Sequence, residues 1–143
     1  MEIERTTCAC AGCVALCKRQ PGSLAPGDFE RIAAALGEDR ETATRHFWAS
    51  PGAVVMNTET MRVYRIGTIT PRLEHGRCVF LTAEDRCAIH AVAPAGCRYF
   101  DIHMDAAEGH RRGTWVVRQQ QDATYQALRA TLVQATSYRP RSY

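Results

Sequence analysis

Apolar residues recur along the chain with two different periods. In residues 24–39, LAPGDFERIAAALGED, the residues Phe29, Ile32, Ala33 and Leu36 fall on one side of a helix. A turn at Pro26-Gly27, an N-cap at Asp28 and a stop at Gly37 bound it. A second helix is predicted from about Arg40 to Ala49, ending before Pro51. The stretch MRVYRIGTIT, residues 61–70, alternates Val63, Tyr64, Arg65 and Ile66 among β-branched neighbours and reads as a strand, and TWVVRQ at 114–119 carries a similar signal. Tyr125, Leu128, Leu132 and Val133 return to helical spacing and predict a closing helix over about 122–136. The turn-rich breaks at Thr70 to Gly76 and Ala106 to Gly113 are too short for domain linkers, and no internal repeat interrupts the pattern. The expectation is one α+β domain over residues 1–143, helices with a few short strands.

Cysteine placement changes what this small domain is expected to be organised around. CACAGCVALC, residues 8–17, puts four cysteines in ten positions, and Cys78, Cys87 and Cys97 follow at separations of nine and ten residues. Seven cysteines in 143 residues are about 5% of the chain, below the roughly 8–10% of a small disulfide scaffold, and an odd number strands one thiol. Residues 1–7 hold Glu2 and Glu4 against Arg5, the wrong sign for the front of a secretory signal. The apolar run from Ala9 to Cys17 is too short for a membrane span. These features lead us to expect a cytoplasmic chain with reduced thiols and no membrane partner.

Two readings of the thiols compete. Cys10, Cys13 and Cys17 stand at i, i+3 and i+7, which is also a buried helix stripe of small apolar residues. That account suits any one cysteine and is weak for seven. Metal binding sets a geometric condition instead. A straight helix would separate Cys10 and Cys17 by about 10 Å along its axis. Thiolates on one zinc, with bonds of about 2.3 Å, need sulfurs about 4 Å apart. If all these thiols serve one centre, the segment bends, and Gly12 is the expected place, with Cys8 and Cys10 on a loop and Cys13 and Cys17 near a helix start. A cluster of several irons spreads its ligands more widely and relaxes the condition.

The ordered set Cys10-x-x-Cys13-x-x-x-Cys17, SLAPGDFERIAAALG, GRCVFL, RCAIH and APAGCRYFD resembles the YkgJ-type cysteine-cluster family, described as zinc- or iron-chelating. The likeness runs from about Cys10 to His103, within a family-like core of about residues 8–105. It implies that Cys10, Cys13, Cys17, Cys78, Cys87 and Cys97 form the chelating set, leaving Cys8 as a spare ligand, a redox thiol or a bystander. The chain departs from the family where Leu16-Cys17 replaces two adjacent cysteines, where Ala93 replaces an arginine before Pro94, and where Asp101 follows CRYF in place of proline.

Thiolates select zinc, copper(I) and iron–sulfur clusters over hard ions. Six or seven cysteines suit one 4Fe-4S cluster with spare thiols, or two smaller sites completed by histidine, and iron–sulfur is favoured here over structural zinc. Arg77, Arg86 and Arg98 each adjoin a family cysteine and could balance the thiolate charge. His90, three residues after Cys87, with Asp101 and His103 after Cys97, offers the two histidines and carboxylate of a mononuclear non-haem iron oxygenase. The competing role for these histidines is hydrogen bonding within the cluster loops. His46, His75 and His110 lack partners of matching type and read as surface residues.

Two classes of function follow. One is a metal-binding protein with a redox or metal-handling role and a redox protein as partner. The other is a small iron-dependent oxidoreductase acting on a small molecule or peptide. No phosphate-cradling glycine loop, nucleophile elbow or HExxH is present. The net charge is +3, and residues 109–143 hold six arginines and one aspartate. Those arginines are spread over 31 positions without a cluster, which reads as a solvated face and not a nucleic-acid site.

Overall fold

The computed structural model describes residues 3–6, 8, 10–57 and 59–135. In chain order the elements are helix α1 (Ala11–Arg19), α2 (Asp28–Leu36), α3 (Arg40–Thr44), strands β1 (Phe47–Asn57), β2 (Arg62–Pro71), β3 (Leu73–Glu74) and β4 (Arg77–Cys78), then helices α4 (Ala95–Arg98), α5 (Ala106–Gln120) and α6 (Ala123–Ala135). Strands β1 and β2 form one antiparallel ribbon, and β3 and β4 form a second, very short one. This is the expected α+β class.

The helix predicted at 28–36 forms with Gly37 as its left-handed C-cap. Asp28, however, is the first helical residue and not the N-cap, which is Gly27 at φ 87°. The Asp28 side chain is fully buried. Its Oδ2 accepts from the backbone N–H of Ala25 (2.8 Å) and Ala95 (2.9 Å), and its Oδ1 from Arg98 (2.7 Å) and Arg31. A buried carboxylate is tolerated where charge and hydrogen bonds surround it in this way.

The second predicted helix is shorter than expected. α3 stops at Thr44, and Phe47 begins a strand that runs through Pro51. Phe47 and Ala49 are both buried, a two-residue period, opposite Pro71 and Ile69 of β2. Phe47 also packs against Phe29 and Phe80, each with ring centroids 5.7 Å away. Pro51 is accommodated because the register shifts between Ser50 and Ala53, so its missing N–H costs no ladder bond there. Gly52 sits in the bulge at φ 91°, and a Cβ there would lie 1.6 Å from the Ile66 carbonyl oxygen. The β2 strand lies where the alternating pattern put it.

Two further expectations are corrected. TWVVRQ and the supposed break at 106–113 both belong to helix α5, started by Asp105, whose Oδ1 accepts from Glu108 N–H at 2.8 Å. Val116 and Gln120, one turn apart, are its buried residues, so side-chain burial on one helical face overrides the β-branched run. The strand-like VFL after Cys78 is a turn at Val79 and Phe80, with Leu81 forming an isolated bridge to Cys87. α6 is the expected closing helix, and positions from 136 onward lie outside the described residues. Tyr125, Leu128 and Leu132 are buried, whereas Val133 is half exposed.

The main core joins Leu24, Phe29, Ile32, Phe47, Ile69, Cys78, Phe80, Ile89, Leu128 and Leu132, and Cys17 and Cys87 pack against it. A smaller cluster of Ala25, Ala95 and Val116 takes in Tyr99, Phe100 and Trp115. The basic end is not wholly a solvated face. Arg129 donates to the carbonyls of Ser50 and Thr68 across the β1–β2 ribbon, and Arg112 donates to Glu108 and to the carbonyls of Glu4 and Tyr99. Arg139 and Arg141 lie outside the described residues. Among those residues, no helix is long and apolar enough to cross a membrane.

Removing the Asp28 carboxylate leaves Arg98 and two backbone donors without their acceptor. Asp28→Ala is expected to lose about 3–5 kcal/mol of folding stability, measured by urea unfolding. Arg31→Ala, which removes a half-exposed partner, costs about 1 kcal/mol or less. Equal losses for the two variants would contradict this account.

Candidate metal centre

The seven cysteines are free thiols. The structure sorts them into two sets. The outer set is Cys8, Cys10, Cys13 and His103, whose ligand atoms all lie within 4.8 Å of one another. The inner set gathers around Cys17, whose sulfur takes hydrogen bonds from Cys78 and Cys97, with Cys87 close enough for its charge to be felt. Among the described residues the outer set is the one group of three or more potential ligand atoms that all lie within 4.8 Å of one another.

Local structure explains the division. The chain turns at Cys10, the N-cap of α1, which is extended at φ −67° and ψ 167°. Gly12, the expected bend, is helical. Its lack of a side chain serves another purpose: a Cβ there would lie 2.3 Å from Ile102 Cδ1, so Gly12 lets the 99–105 loop approach α1. The approach brings His103 Nε2 to 3.5 Å from Cys10 Sγ. Cys17 lies one helical turn beyond Cys13, about 6 Å further along the axis. There it meets Cys78 on β4, Cys87 at the bridge to Leu81, and Cys97 on α4.

Two close fits hold these pieces. Gly22 and Gly96 pack backbone to backbone, since a Cβ on Gly22 would lie 2.1 Å from the Gly96 carbonyl carbon. The Gly22 N–H consequently reaches Cys97 Sγ at 3.2 Å. At the other set, Thr6 N–H donates to the Arg98 carbonyl (2.7 Å), and the Thr6 hydroxyl donates to Asp101 Oδ2 (2.5 Å). Asp101 Oδ1 accepts from His103 N–H (2.8 Å), which fixes the turn carrying the imidazole. Asp101 therefore uses both oxygens to tie Thr6, whose hydroxyl also accepts from the Cys8 N–H (3.4 Å), to the turn carrying His103.

The remaining residues singled out from the sequence fall as follows. His90 is exposed on a single 3-10 turn, His90–Val92, and is not brought into a group with Asp101 and His103. Arg98 is held by Asp28 and the Ala93 carbonyl, and Arg77 by Asp85 (2.7 Å) and the Thr82 carbonyl (2.9 Å). Arg86 lines the cavity described below. His46 is not a partnerless surface residue: its Nε2 lies 2.8 Å from Glu38 Oε2, and its ring packs on Phe80. His75 and His110 are exposed. Sequence reasoning passed over Arg5, which donates to the carbonyls of His90 and Ala91 and whose charge favours the Cys87 thiolate. Nothing in the sequence marked it. For Cys8 the signal was its one-residue spacing from Cys10, and for His103 the Asp-x-His turn.

Both sets open onto one cavity of about 490 Å³. Cys8 and Cys13 line it from the outer side and Cys17, Cys87 and Cys97 from the inner side. In each set one thiol is lowered. The Cys10 thiol is lowered to about 6 by the Cys13 backbone N–H, His103 and the neighbouring thiols. Cys13 is pulled down by the Ile102 N–H, but burial and the Cys8 and Cys10 sulfurs outweigh this and raise it to about 11. Cys17 is lowered to about 3 by hydrogen bonds from Cys78 and Cys97, which are themselves raised, as is Cys87 by burial.

The donor atoms fit metal binding. Three sulfurs and one imidazole nitrogen within 4.8 Å need little contraction to reach the roughly 4 Å sulfur spacing of a tetrahedral ion. Two thiol sets around one cavity define a cysteine-cluster metal-chelating domain. The chain belongs to the CxxCxxCC family, described as "Putative zinc- or iron-chelating domain", whose model matches residues 9–129. No curated protein and no solved structure matches it.

A metal ion on the outer set displaces the Cys13 proton. Because this thiol stays protonated up to about pH 11, zinc affinity is expected to rise with pH, by about tenfold per unit from this proton alone. Below about pH 6 Cys10 is protonated too, and the dependence steepens. Competition with a chromophoric chelator over this range measures the slope, and an affinity independent of pH near neutrality would contradict the assignment.

Proposed function

We propose that the chain is a metal-handling protein with two centres. Cys8, Cys10, Cys13 and His103 take a single zinc or ferrous ion, and Cys17, Cys78, Cys87 and Cys97 hold an iron–sulfur cluster, with a redox role in the cytoplasm. The observation that carries this reading is the division of the donors into two groups on one cavity: three sulfurs and an imidazole within 4.8 Å on one side, and four thiols gathered around Cys17 on the other. Three sulfurs and a nitrogen suit one tetrahedral ion, and four cysteines suit an iron–sulfur cluster. The cluster would supply one-electron chemistry when bound. Cys78 is buried in the main core, the Gly22 N–H reaches the Cys97 sulfur, and the Arg5 charge beside Cys87 offsets thiolate charge. Both oxygens of Asp101 are taken by Thr6 and His103 N–H, which favours this reading over an iron site built from His90, Asp101 and His103.

The test is anaerobic purification followed by an absorption spectrum and measurement of iron, zinc and sulfide per chain. Cys87→Ala is expected to remove sulfide and colour while leaving the outer ion. Cys13→Ala is expected to remove the outer ion while colour persists. A single substitution that abolishes both would show one shared centre, and a colourless zinc protein would sink the iron–sulfur assignment.

A further inference from the structure

We propose that Cys10 and Cys13, when they hold no metal ion, form a dithiol–disulfide couple that reduces small disulfides, with Cys10 attacking, Cys13 resolving and His103 carrying the proton. The proposal rests on the geometry of the outer set, and neither the identity of its ion nor the inner cluster enters it.

Cys10-Ala11-Gly12-Cys13 is a C-x-x-C motif laid over the start of α1, with Cys10 the N-cap and Cys13 in the first turn. The two sulfurs lie within 4.8 Å of each other. Side chains three residues apart on a helix have Cβ atoms about 5–6 Å apart, and a disulfide needs about 3.5–4.5 Å. Cys10 can make up the difference, because at φ −67° and ψ 167° it stands outside the helix and turns without unwinding α1. Cys8 lies within the same 4.8 Å and is the competing partner, which the variants below separate.

The surroundings assign the roles. His103 Nε2 is 3.5 Å from Cys10 Sγ, in a contact at the surface. Asp101 holds the backbone of His103 (2.8 Å), which keeps the imidazole at that sulfur. An imidazole so placed takes the thiol proton during attack and returns it to the thiol that leaves. The N–H groups of the first turn of α1 lie at the Cys10 end, an arrangement that favours a nucleophilic sulfur. The Cys13 sulfur instead takes the Ile102 N–H. Cys10 stands between α1 and the 99–105 loop, which Gly12 lets close to contact, and that narrow approach suits a low-molecular-weight disulfide.

The exchange proceeds in two steps. Cys10 Sγ bonds to one sulfur of the small disulfide as its S–S bond breaks, and the first thiol leaves with the proton that His103 took from Cys10. Cys13 Sγ then bonds to Cys10 Sγ, and the second thiol leaves with the Cys13 proton. The small disulfide gains two electrons and two protons, and the chain loses them in forming Cys10–Cys13. A metal ion and this disulfide use the same two sulfurs, so each excludes the other.

The test uses the full-length chain, freed of metal by a chelator without oxygen and checked by circular dichroism, with oxidised glutathione at neutral pH. Peptide mass mapping is expected to show a Cys10–Cys13 disulfide and the release of two glutathione molecules per chain. Cys13→Ser is expected to stop with one glutathione on Cys10, and Cys10→Ser to react more slowly by about tenfold or more. His103→Ala is expected to slow the first step by about tenfold or more, with partial rescue by imidazole in solution. One equivalent of bound zinc is expected to block the reaction. A Cys8–Cys10 or inner-set disulfide in its place, a wild-type rate in Cys10→Ser, an unchanged rate with zinc bound, or a chain that unfolds without metal would each overturn the proposal.

Discussion

The structure depends on one buried carboxylate. Asp28 accepts from the backbone of Ala25 on one side and of Ala95 on the other, and it holds the Arg98 guanidinium. Through these bonds the start of α2 and the whole of α4, four residues long, become a single unit. A helix of that length has no stability of its own. What fixes Cys97 in space is therefore the Asp28 anchor together with the close approach of Gly22 and Gly96, and not any property of the AGCR segment. Arg98 adjoins a cysteine in sequence and lines the thiol cavity, and its guanidinium pairs with Asp28 in this anchor.

The outer set is held differently. Its ligands come from the segment before α1, from the first turn of α1 and from the 99–105 loop, which are tied together by Thr6, Asp101 and Arg112 at the molecular surface. Such contacts open at lower free energy than a core does. The inner set, by contrast, leans on the main core through Cys17, Cys78 and Cys87. One set is thus braced by the core and the other by polar contacts at the surface, a difference produced by where the fold puts its apolar contacts.

Much of this was legible in the sequence where local pattern and tertiary packing agree. The helix at Asp28 to Leu36, the strand through Ile66 and Ile69 and the closing helix with Tyr125, Leu128 and Leu132 are each amphipathic with the period of the element they form. Pattern failed where a remote partner decided the outcome. Phe47 and Ala49 become a strand because Ile69 and Pro71 lie opposite, and Trp115 to Val117 stay helical because Val116 and Gln120 face Ala25, Ala95 and Leu24. The number of thiol sets was hidden for the same reason. Spacing within residues 8–17 shows that Cys10 and Cys17 cannot meet on one helix, but only the path of the 99–105 loop shows that Cys10 is joined by His103.

That path also explains two residues with no apparent chemistry. Gly12 permits Ile102 to close on α1, and Asp101 orients the turn that follows, so that the family-like core ends in an imidazole placed against Cys10. A side chain at position 12 would meet Ile102 Cδ1 and force that side chain to move. Three thiolates and an imidazole on a divalent ion carry a net charge of −1, against −2 for four thiolates, and the smaller charge is easier to hold at a half-exposed surface. The histidine therefore suits the outer set, while the inner set, with Arg5 beside Cys87, is the one equipped to bear a larger negative charge.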